Sequence, residues 1–600
     1  MGVTEIDRDQ HAAVVDAGSE HDTEKREKLA AGLDDSDGSE VKQEGVAQVE
    51  AITTVWSTRM LWTAFVFLYL VSFVDALLQS VQGALTPYVT SSFSQHSLLA
   101  TTSIVANIVG GVCQLTIAKI IDIWGRVEGF TIMIFLVVLG MILKATCGSV
   151  EMYAAAQTIY WVGHIGVGYI ISVVLADMTT LQNRMIMFGI NQTPIIASVF
   201  AGPVIAQLFY DEVNFRWAFG AFTIIMVVFA IPIVIIFWLN QRKALKLGVI
   251  KKGKSGRTWW QSTEHYFWEF DAVGLLLTTA GWSLLLLPFS IASIAPDGWS
   301  SGYIIAMIVL GVVLLVAFGL WEKYYARVPY FPWKYLKDRT VLGSCFLYGF
   351  MFLSIFVWDA YYSTYLQVVH DESITISNYV LNCLSLASAF IAPFVGLPSD
   401  GVIGSPADNS TSLIRYTNEY KWTSIAGIPF MTLGTALLIH FRRPETEVGY
   451  LVMCQLFNGI GSGIWALTAE IAIMSSVKHQ EVAVAVAMWG LFGSIGAAVG
   501  NTIAGALWTN IVPEKLTAEL PEGSKDLMAE IYGDITVQLS YPMGSPIRDA
   551  IIAAFDDVQR KMVIVGSCFL PLMLISILVW KNKNLRLRQQ EQGQSKGNIF

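Results

Sequence analysis

Residues Tyr69–Glu128, YLVSFVDALLQSVQGALTPYVTSSFSQHSLLATTSIVANIVGGVCQLTIAKIIDIWGRVE, decide how the rest of the chain is read. An apolar segment carries one carboxylate, Asp75, and is followed by a short polar turn with Pro87, Tyr88 and His96. A second apolar segment, Leu98 to Ala118, ends in Asp122, Gly125 and Arg126. An acid inside an apolar span is costly and by default marks a pathway. Ser72, Asp75, Gln79 and Gln82 recur at helical spacing, so they share one face, which is predicted to look into a cavity and not into lipid.

The same pattern extends over 600 residues, of which 54% are hydrophobic and only 14% charged. A soluble domain carries roughly 25% charged residues, so that class is excluded. Apolar stretches long enough to span a bilayer as helices recur. They number fourteen, at about 60–83, 98–118, 127–146, 154–177, 187–208, 217–239, 272–293, 302–321, 341–366, 378–398, 422–440, 449–475, 481–508 and 562–580. The fold class is therefore all-α and polytopic, with both termini on one side. The 241–271 loop (Arg242, Lys243, Lys246, Lys251, Lys252, Lys254, Arg257), the 322–340 loop (Lys323, Arg327, Lys334, Lys337, Arg339) and the segment after Trp580 concentrate Lys and Arg on that side. The loops at 84–97, 294–301 and 367–377 carry none. The positive-inside rule places both termini in the cytosol, with Arg442 and Arg443 as a minor violation.

Residues 1–58 are rich in Asp, Glu, Ser and Gly, a composition that predicts a disordered acidic tail. No secretory signal peptide precedes the first span, which must act as the insertion signal. The 6 cysteines lie in or beside apolar spans and form neither a disulfide framework nor a metal spacing. No phosphate-binding loop with a Lys and no water-facing catalytic triad is present. An enzyme, a nucleic-acid partner and a bound cofactor are therefore not expected.

A faint internal repeat is visible. Gly396-Leu-Pro-Ser-Asp400 repeats the spacing of Ala118 and Asp122. The Gly-rich fourth span (Gly163, Gly166, Gly168) ends Leu-Ala-Asp177, and the Gly-rich twelfth (Gly459, Gly461, Gly463) ends Thr-Ala-Glu470. Two six-helix halves, 59–240 and 341–580, would then flank an inserted pair at 272–321, with a basic loop at 241–271 and a second tail at 581–600. Such a plan puts a transporter's substrate near the midplane. The one long loop on the outer face, 509–561, holds Tyr541-Pro-Met-Gly-Ser-Pro-Ile-Arg548, followed by a helical pattern through Ile551, Ala554, Phe555 and Val558.

Each constellation has a bland rival. Asp122, Gly125 and Arg126 read as a cytosolic gating loop, with Asp177 and Arg184 serving the same gate; the rival is a topogenic basic loop. Asp75 is a candidate proton carrier or a structural acid bonded to a neighbouring helix. His164, with Gln157 and Tyr160 on its face, titrates near working pH or merely bonds two helices. Trp358, Asp359, Tyr361, Tyr362 and Tyr365 offer rings and hydroxyls to a large organic ligand, or form an interfacial aromatic belt. Gln455, Asn458, Ser462 and Trp465 make a comparable stripe, with Glu470 deeper. Gln79, Tyr88, His96, Tyr541 and Arg548 complete the candidate substrate contacts; Asp75, His164, Asp359 and Glu470 are the candidate proton carriers.

The loop at Ala118, Asp122, Gly125 and Arg126 resembles the G-x-x-x-D-x-x-G-R loop of the major facilitator superfamily, with Ala in place of the first Gly. SFVDALLQSVQGALTPYVTSSFSQHSLLATTSIVANIV, AKIIDIWGRVE, ADMTTLQNR, FVWDAYYSTYLQVV and LSYPMGSPIRDAI resemble fungal siderophore–iron transporters of that superfamily, from the first span to the last. The resemblance implies a 14-helix, proton-driven importer of ferric siderophores, mostly hydroxamates; a monomer is expected, in the plasma membrane or an internal vesicle membrane. It leaves open an exchanger or exporter of drugs or glutathione with the same fold. A non-transporting receptor is disfavoured by the intact gate loop.

Overall fold

The computed structural model describes residues 58–178, 187, 190–191, 193–246, 258–292, 295–328, 330–331, 333–396, 420–477 and 482–581. Every regular element among them is helical. Fourteen helices among the described residues are long and apolar enough to cross a membrane. They are α1 (Thr58–Ser91), α2 (Leu99–Ile123), α3 (Arg126–Thr146), α4 (Val150–Met178), α5 (Pro194–Leu208), α6 (Phe215–Lys246), α7 (Ala272–Leu286), α8 (Gly302–Tyr324), α9, α10 (Ile374–Gly396), α11 (Tyr420–Phe441), α12 (Val448–Met474), α13 (Val482–Glu519) and α14. Two of them are broken. α9 consists of α9a (Arg339–Asp359) and α9b (Tyr362–His370), and α14 of α14a (Pro546–Ser567) and α14b (Leu570–Leu578). The proposed acidic tail, Gly396-to-Asp400 beyond its first residue, and Arg184 lie outside the described residues.

Packing neighbours recur at an offset of eight spans. α3 packs on α4 as α11 packs on α12, α2 on α4 as α10 on α12, and α1 on α5 as α9a on α13. Between these groups, α2 meets α13 and α5 meets α10, while α7 packs on α8 and against α2. Small residues permit this closeness. A Cβ at Gly163 would stand 2.6 Å from the Val137 amide nitrogen, and one at Gly461 would stand 2.8 Å from that of Met431. The glycines of the fourth and twelfth spans thus seat equivalent helix pairs.

An even number of spans brings residues 58 and 581 to one face, here the tail face; the opposite one is the far face. The far face departs from the sequence reading. Residues 509–519 are not loop, because α13 runs 38 residues to Glu519, about 57 Å at the helical rise, and projects well past a bilayer core. Residues 546–561 are not loop either. Ser545 caps α14a by accepting the Arg548 amide, and Pro546 opens it at a position where a missing N–H costs nothing. Ile551, Ala554, Phe555 and Val558 are all 0% exposed, so this helix packs by its apolar face. The true connection, residues 520–545, is a compact cap of three short helical turns. Pro87 and Tyr88, read as turn residues, are helical, and α1 ends only at Ser91. On the tail face, part of the 241–271 segment is helical too: α6 reaches Lys246, and Thr258 sets a capping box for a helix at Trp259–Glu269.

Candidate functional site

The polar stripe of α1 is zipped to α4. Asp75, at the middle of α1, has Oδ2 2.8 Å from His164 Nδ1, close enough for an ion pair when the ring is protonated, with no hydrogen bond from that nitrogen among the described residues. Gln79 Nε2 donates to the Tyr160 hydroxyl at 3.0 Å and Gln82 Nε2 to Gln157 Oε1 at 3.1 Å. Thr86 Oγ1 lies 3.3 Å from the Tyr153 hydroxyl. Steps of four, three and four residues up α1 match the same steps down α4, as antiparallel helices in fixed register require. Ser72 Oγ, one turn nearer the tail face, donates to Asn191 Oδ1 at 3.1 Å. The physical reason is satisfaction: amides and hydroxyls at membrane depth are costly unless bonded.

Lys144, near the far end of α3, enters this ladder and was not singled out from the sequence. It is 0% exposed, donates to Gln82 Oε1 at 2.6 Å and sits over the Tyr160 ring, 3.8 Å from its centroid. An amide oxygen and an aromatic face hold the cation; such a contact is worth about 2 kcal/mol or more when desolvated.

Beyond the ladder the far face is sealed. The Tyr88 hydroxyl donates to Gln367 Oε1, joining α1 to α9b. The Tyr361 hydroxyl donates to the Ser97 carbonyl at 2.8 Å, and its ring stacks on Trp508 at 4.0 Å with His96 edge-on to both. The Ile535 amide of the cap donates to Ser91 Oγ at 3.1 Å. Tyr379 of α10 donates to the Phe200 carbonyl of α5 at 3.0 Å, and the Thr375 amide donates to Gln207 Oε1 at 3.2 Å.

Two buried arginines hold the broken ninth span. α9a stops at Asp359 and α9b restarts at Tyr362. Trp358, Tyr361, Tyr362 and Tyr365 therefore do not share one helical side: Tyr361 points to α2 and α13, while Tyr362 lies under Arg442. Arg442 Nη1 donates to the Trp358 carbonyl at the end of α9a at 2.7 Å, and to Gln559 Oε1 at 3.0 Å. At the end of α9b, Arg548 Nε donates to the Val368 carbonyl at 3.0 Å, and Nη1 donates to Gln538 O at 2.5 Å. Each guanidinium thus meets the negative end of a half-helix. Both side chains are 0% exposed. Arg548 is therefore occupied as a clamp, with Asp371 as an outlying partner at 3.4 Å, and its donors do not face a ligand in this state. Tyr541 is half-buried on the cap and presents its carbonyl to Arg548 at 3.4 Å.

On α12, Gln455 and Asn458 are fully buried. Asn458 Oδ1 accepts from Thr435 Oγ1 at 3.0 Å, while both polar atoms of Gln455 have no protein partner. Trp465 Nε1 donates to the Ser424 carbonyl at 2.8 Å, which makes it a packing residue between α11 and α12. Glu470 lies on the same helix toward the tail face, half-buried.

Comparison with known proteins adds the family. The Major Facilitator Superfamily profile matches residues 68–405. The chain is 50% identical to "MFS siderochrome iron transporter 1" of Ajellomyces capsulatus, covering 95% of this chain and 96% of that protein. It is 39% identical to "Siderophore iron transporter mirB" of Emericella nidulans (93% and 89% covered) and 38% identical to "MFS siderochrome iron transporter D" of Aspergillus fumigatus (94% and 91% covered). The chain belongs to the siderophore–iron transporter family of the Major Facilitator Superfamily. A crystal structure of the peptide transporter POT in complex with sulfate shares the fold, with TM-score 0.51, 14% identity and 86% of this chain and 96% of that one covered.

As a member of this transporter family the chain is a multi-pass membrane protein and not an enzyme. The loop of Asp122, Gly125 and Arg126 lies between α2 and α3. Gly125 has φ 112°, a conformation that a side chain would strain, and Arg126 is buried and donates to the Ile121 carbonyl at 2.7 Å. The side chains of Asp122 and Asp177 lie outside the described set. The contacts that the sequence did not announce, Lys144, Arg442 and Gln559, had one visible signal: Arg442 is one of the two basic residues that break the charge rule.

Proposed function

We propose that this protein imports ferric siderophores, of the hydroxamate type, in symport with protons across the plasma membrane, with both termini in the cytosol and the monomer as the working unit. The substrate class is carried by one observation, the 50% identity over 95% of the chain to a protein named a siderochrome iron transporter. The eight-span recurrence of packing neighbours supports two six-helix halves that rock about the α2–α13 and α5–α10 contacts, with α7 and α8 as an inserted pair. With the tail face cytosolic, the sealed far face is the outer one, and this is the state in which substrate leaves inward.

Coupling rests on Asp75 and His164. A carboxylate 2.8 Å from an imidazole, on two helices of one half, is a pair able to hold and pass one proton. Asp359 at the break of α9 and Glu470 on α12 are secondary candidates. Gln79, Tyr88, His96 and Tyr361 line the route that the seal closes, and Gln455 and Asn458 face it from α12. Tyr541 on the 520–545 cap is the first contact offered to an arriving complex. Arg126, with Asp122, Asp177 and Arg184, stabilises one access state at the tail face.

Growth tests the reading. A yeast strain that lacks siderophore uptake, given this chain, should grow with ferric trihydroxamates as sole iron source and stop when an uncoupler is added. Failure on every hydroxamate tried, with the protein present at the cell surface, would overturn it.

A further inference from the structure

The break in α9 is surrounded by hydrogen-bond donors that no described residue satisfies. Trp358 Nε1, the Tyr365 hydroxyl and Gln559 Nε2 are buried without a hydrogen-bond partner among the described residues, and Arg442 Nε and Nη2 have none beyond the Tyr362 hydroxyl they approach. The groups form one cluster. The Arg442 guanidinium stands 3.8 Å from the Tyr362 ring centroid and 5.5 Å from that of Trp358. It donates to Gln559 at 3.0 Å, and the rings of Tyr362 and Tyr365 lie 6.3 Å apart. The acceptors at hand, the Trp358 carbonyl and Gln559 Oε1, are already used by Arg442 Nη1. Asp556 Oδ1 is an acceptor without a partner among the described residues. Buried donors are normally paired, because each unpaired one costs about 1–3 kcal/mol.

Charge around the cluster is near balance. Asp359 lies in the field of Arg442, Asp556 and Glu445 act on Tyr365, and Arg443 and Arg560 act on Asp556, while Asp557 is paired with Lys561 at 2.8 Å and Lys515 at 3.9 Å. A site built for an anion would show surplus positive charge. This one shows surplus donors without surplus charge.

We infer that Trp358, Tyr362, Tyr365, Arg442 and Gln559 form the recognition site for an acceptor-rich, electrically neutral ligand: the carbonyl and hydroxamate oxygens of an uncharged metal trihydroxamate. In the sealed state Arg442 Nη1 holds the Trp358 carbonyl where such an oxygen would bind, so the site is self-liganded until the far face opens. The inference rests on the proposed import of ferric siderophores and names the charge state and the residues that read it.

The test is equilibrium binding to the purified full-length protein, with a neutral gallium trihydroxamate as probe and a carboxylate-bearing, anionic analogue beside it. Arg442→Ala risks the fold by freeing the end of α9a. Tyr365→Phe removes only an unpaired hydroxyl, Tyr362→Phe removes the hydroxyl beside Arg442, and both keep the rings. Each is expected to weaken binding of the neutral complex at least about fivefold, as loss of one hydrogen bond implies. Thermal stability of Tyr365→Phe should stay level or rise, since a costly orphan donor is gone. Unchanged affinity in both Phe variants would overturn the site while leaving the import reading intact. Tighter binding of the anionic analogue by wild-type protein would also overturn it. Failure of wild-type protein to bind any trihydroxamate would overturn the import reading and the site together.

Discussion

A carboxylate halfway along a membrane helix has to be neutralised, paired or hydrated, and Asp75 is paired. Asp75→Asn keeps the shape and removes the exchangeable proton. Labelled siderophore should still bind, yet cells should no longer concentrate it; uncoupler-sensitive accumulation at the wild-type rate would clear Asp75 of the role. Lys144 is a different case, because its partners are neutral. Lys144→Met leaves Gln82 Oε1 without a donor in the protein interior and should lower unfolding stability by about 1–3 kcal/mol. A thermal melt in detergent reads this directly, and an unaltered midpoint would show that the amide finds another partner. Asp75 was legible in the sequence because an acid interrupts an apolar run. Lys144 was not, because a lysine close to a span end reads as one that reaches out to the interface. Only the register with α4 turns it inward.

At the scale of elements, the broken ninth span governs the far face. The sequence across the break, Val357-Trp-Asp-Ala-Tyr-Tyr-Ser363, contains no Gly or Pro, so nothing local announces it. It is held from outside, by Arg442 and Arg548 at the ends of the two half-helices. Arg548→Ala strips donors from the carbonyls of Val368, Gln538 and Tyr541 and should destabilise the protein by about 3 kcal/mol or more. Arg548→Lys should rescue little, because one ammonium cannot reproduce a planar fork. Asp371→Ala should cost under about 1 kcal/mol, since that carboxylate is 64% exposed at the rim. Equal losses for Arg548→Ala and Asp371→Ala would make the ion pair, and not the carbonyl clamp, the functional contact. Fourteen spans were legible because each supplies a run of apolar residues. The ends of α13 and α14a were not, because they leave the apolar zone as amphipathic helix and only their packing shows them to be continuous.

Across the whole molecule the two groups of helices meet through few polar contacts, and transport requires those on the far face to part. Gln207 and Thr375 join α5 to α10 there. In a background without the 6 native cysteines, Gln207→Cys with Thr375→Cys bridged by a short bifunctional reagent should stop uptake, and a reducing agent should restore it if the reagent is cleavable. Uptake that survives complete bridging would mean that this face does not open.

Proteoliposomes test the central claim most directly. Wild-type protein and Asp75→Asn are reconstituted, an inward proton gradient is imposed, and the internal concentration of a ferric trihydroxamate is followed with time. The account expects wild-type vesicles to exceed the external concentration and to fall back when the gradient is collapsed, while Asp75→Asn vesicles only equilibrate. Wild-type vesicles that merely equilibrate under the gradient, or Asp75→Asn vesicles that concentrate the complex as well as wild type, would contradict it.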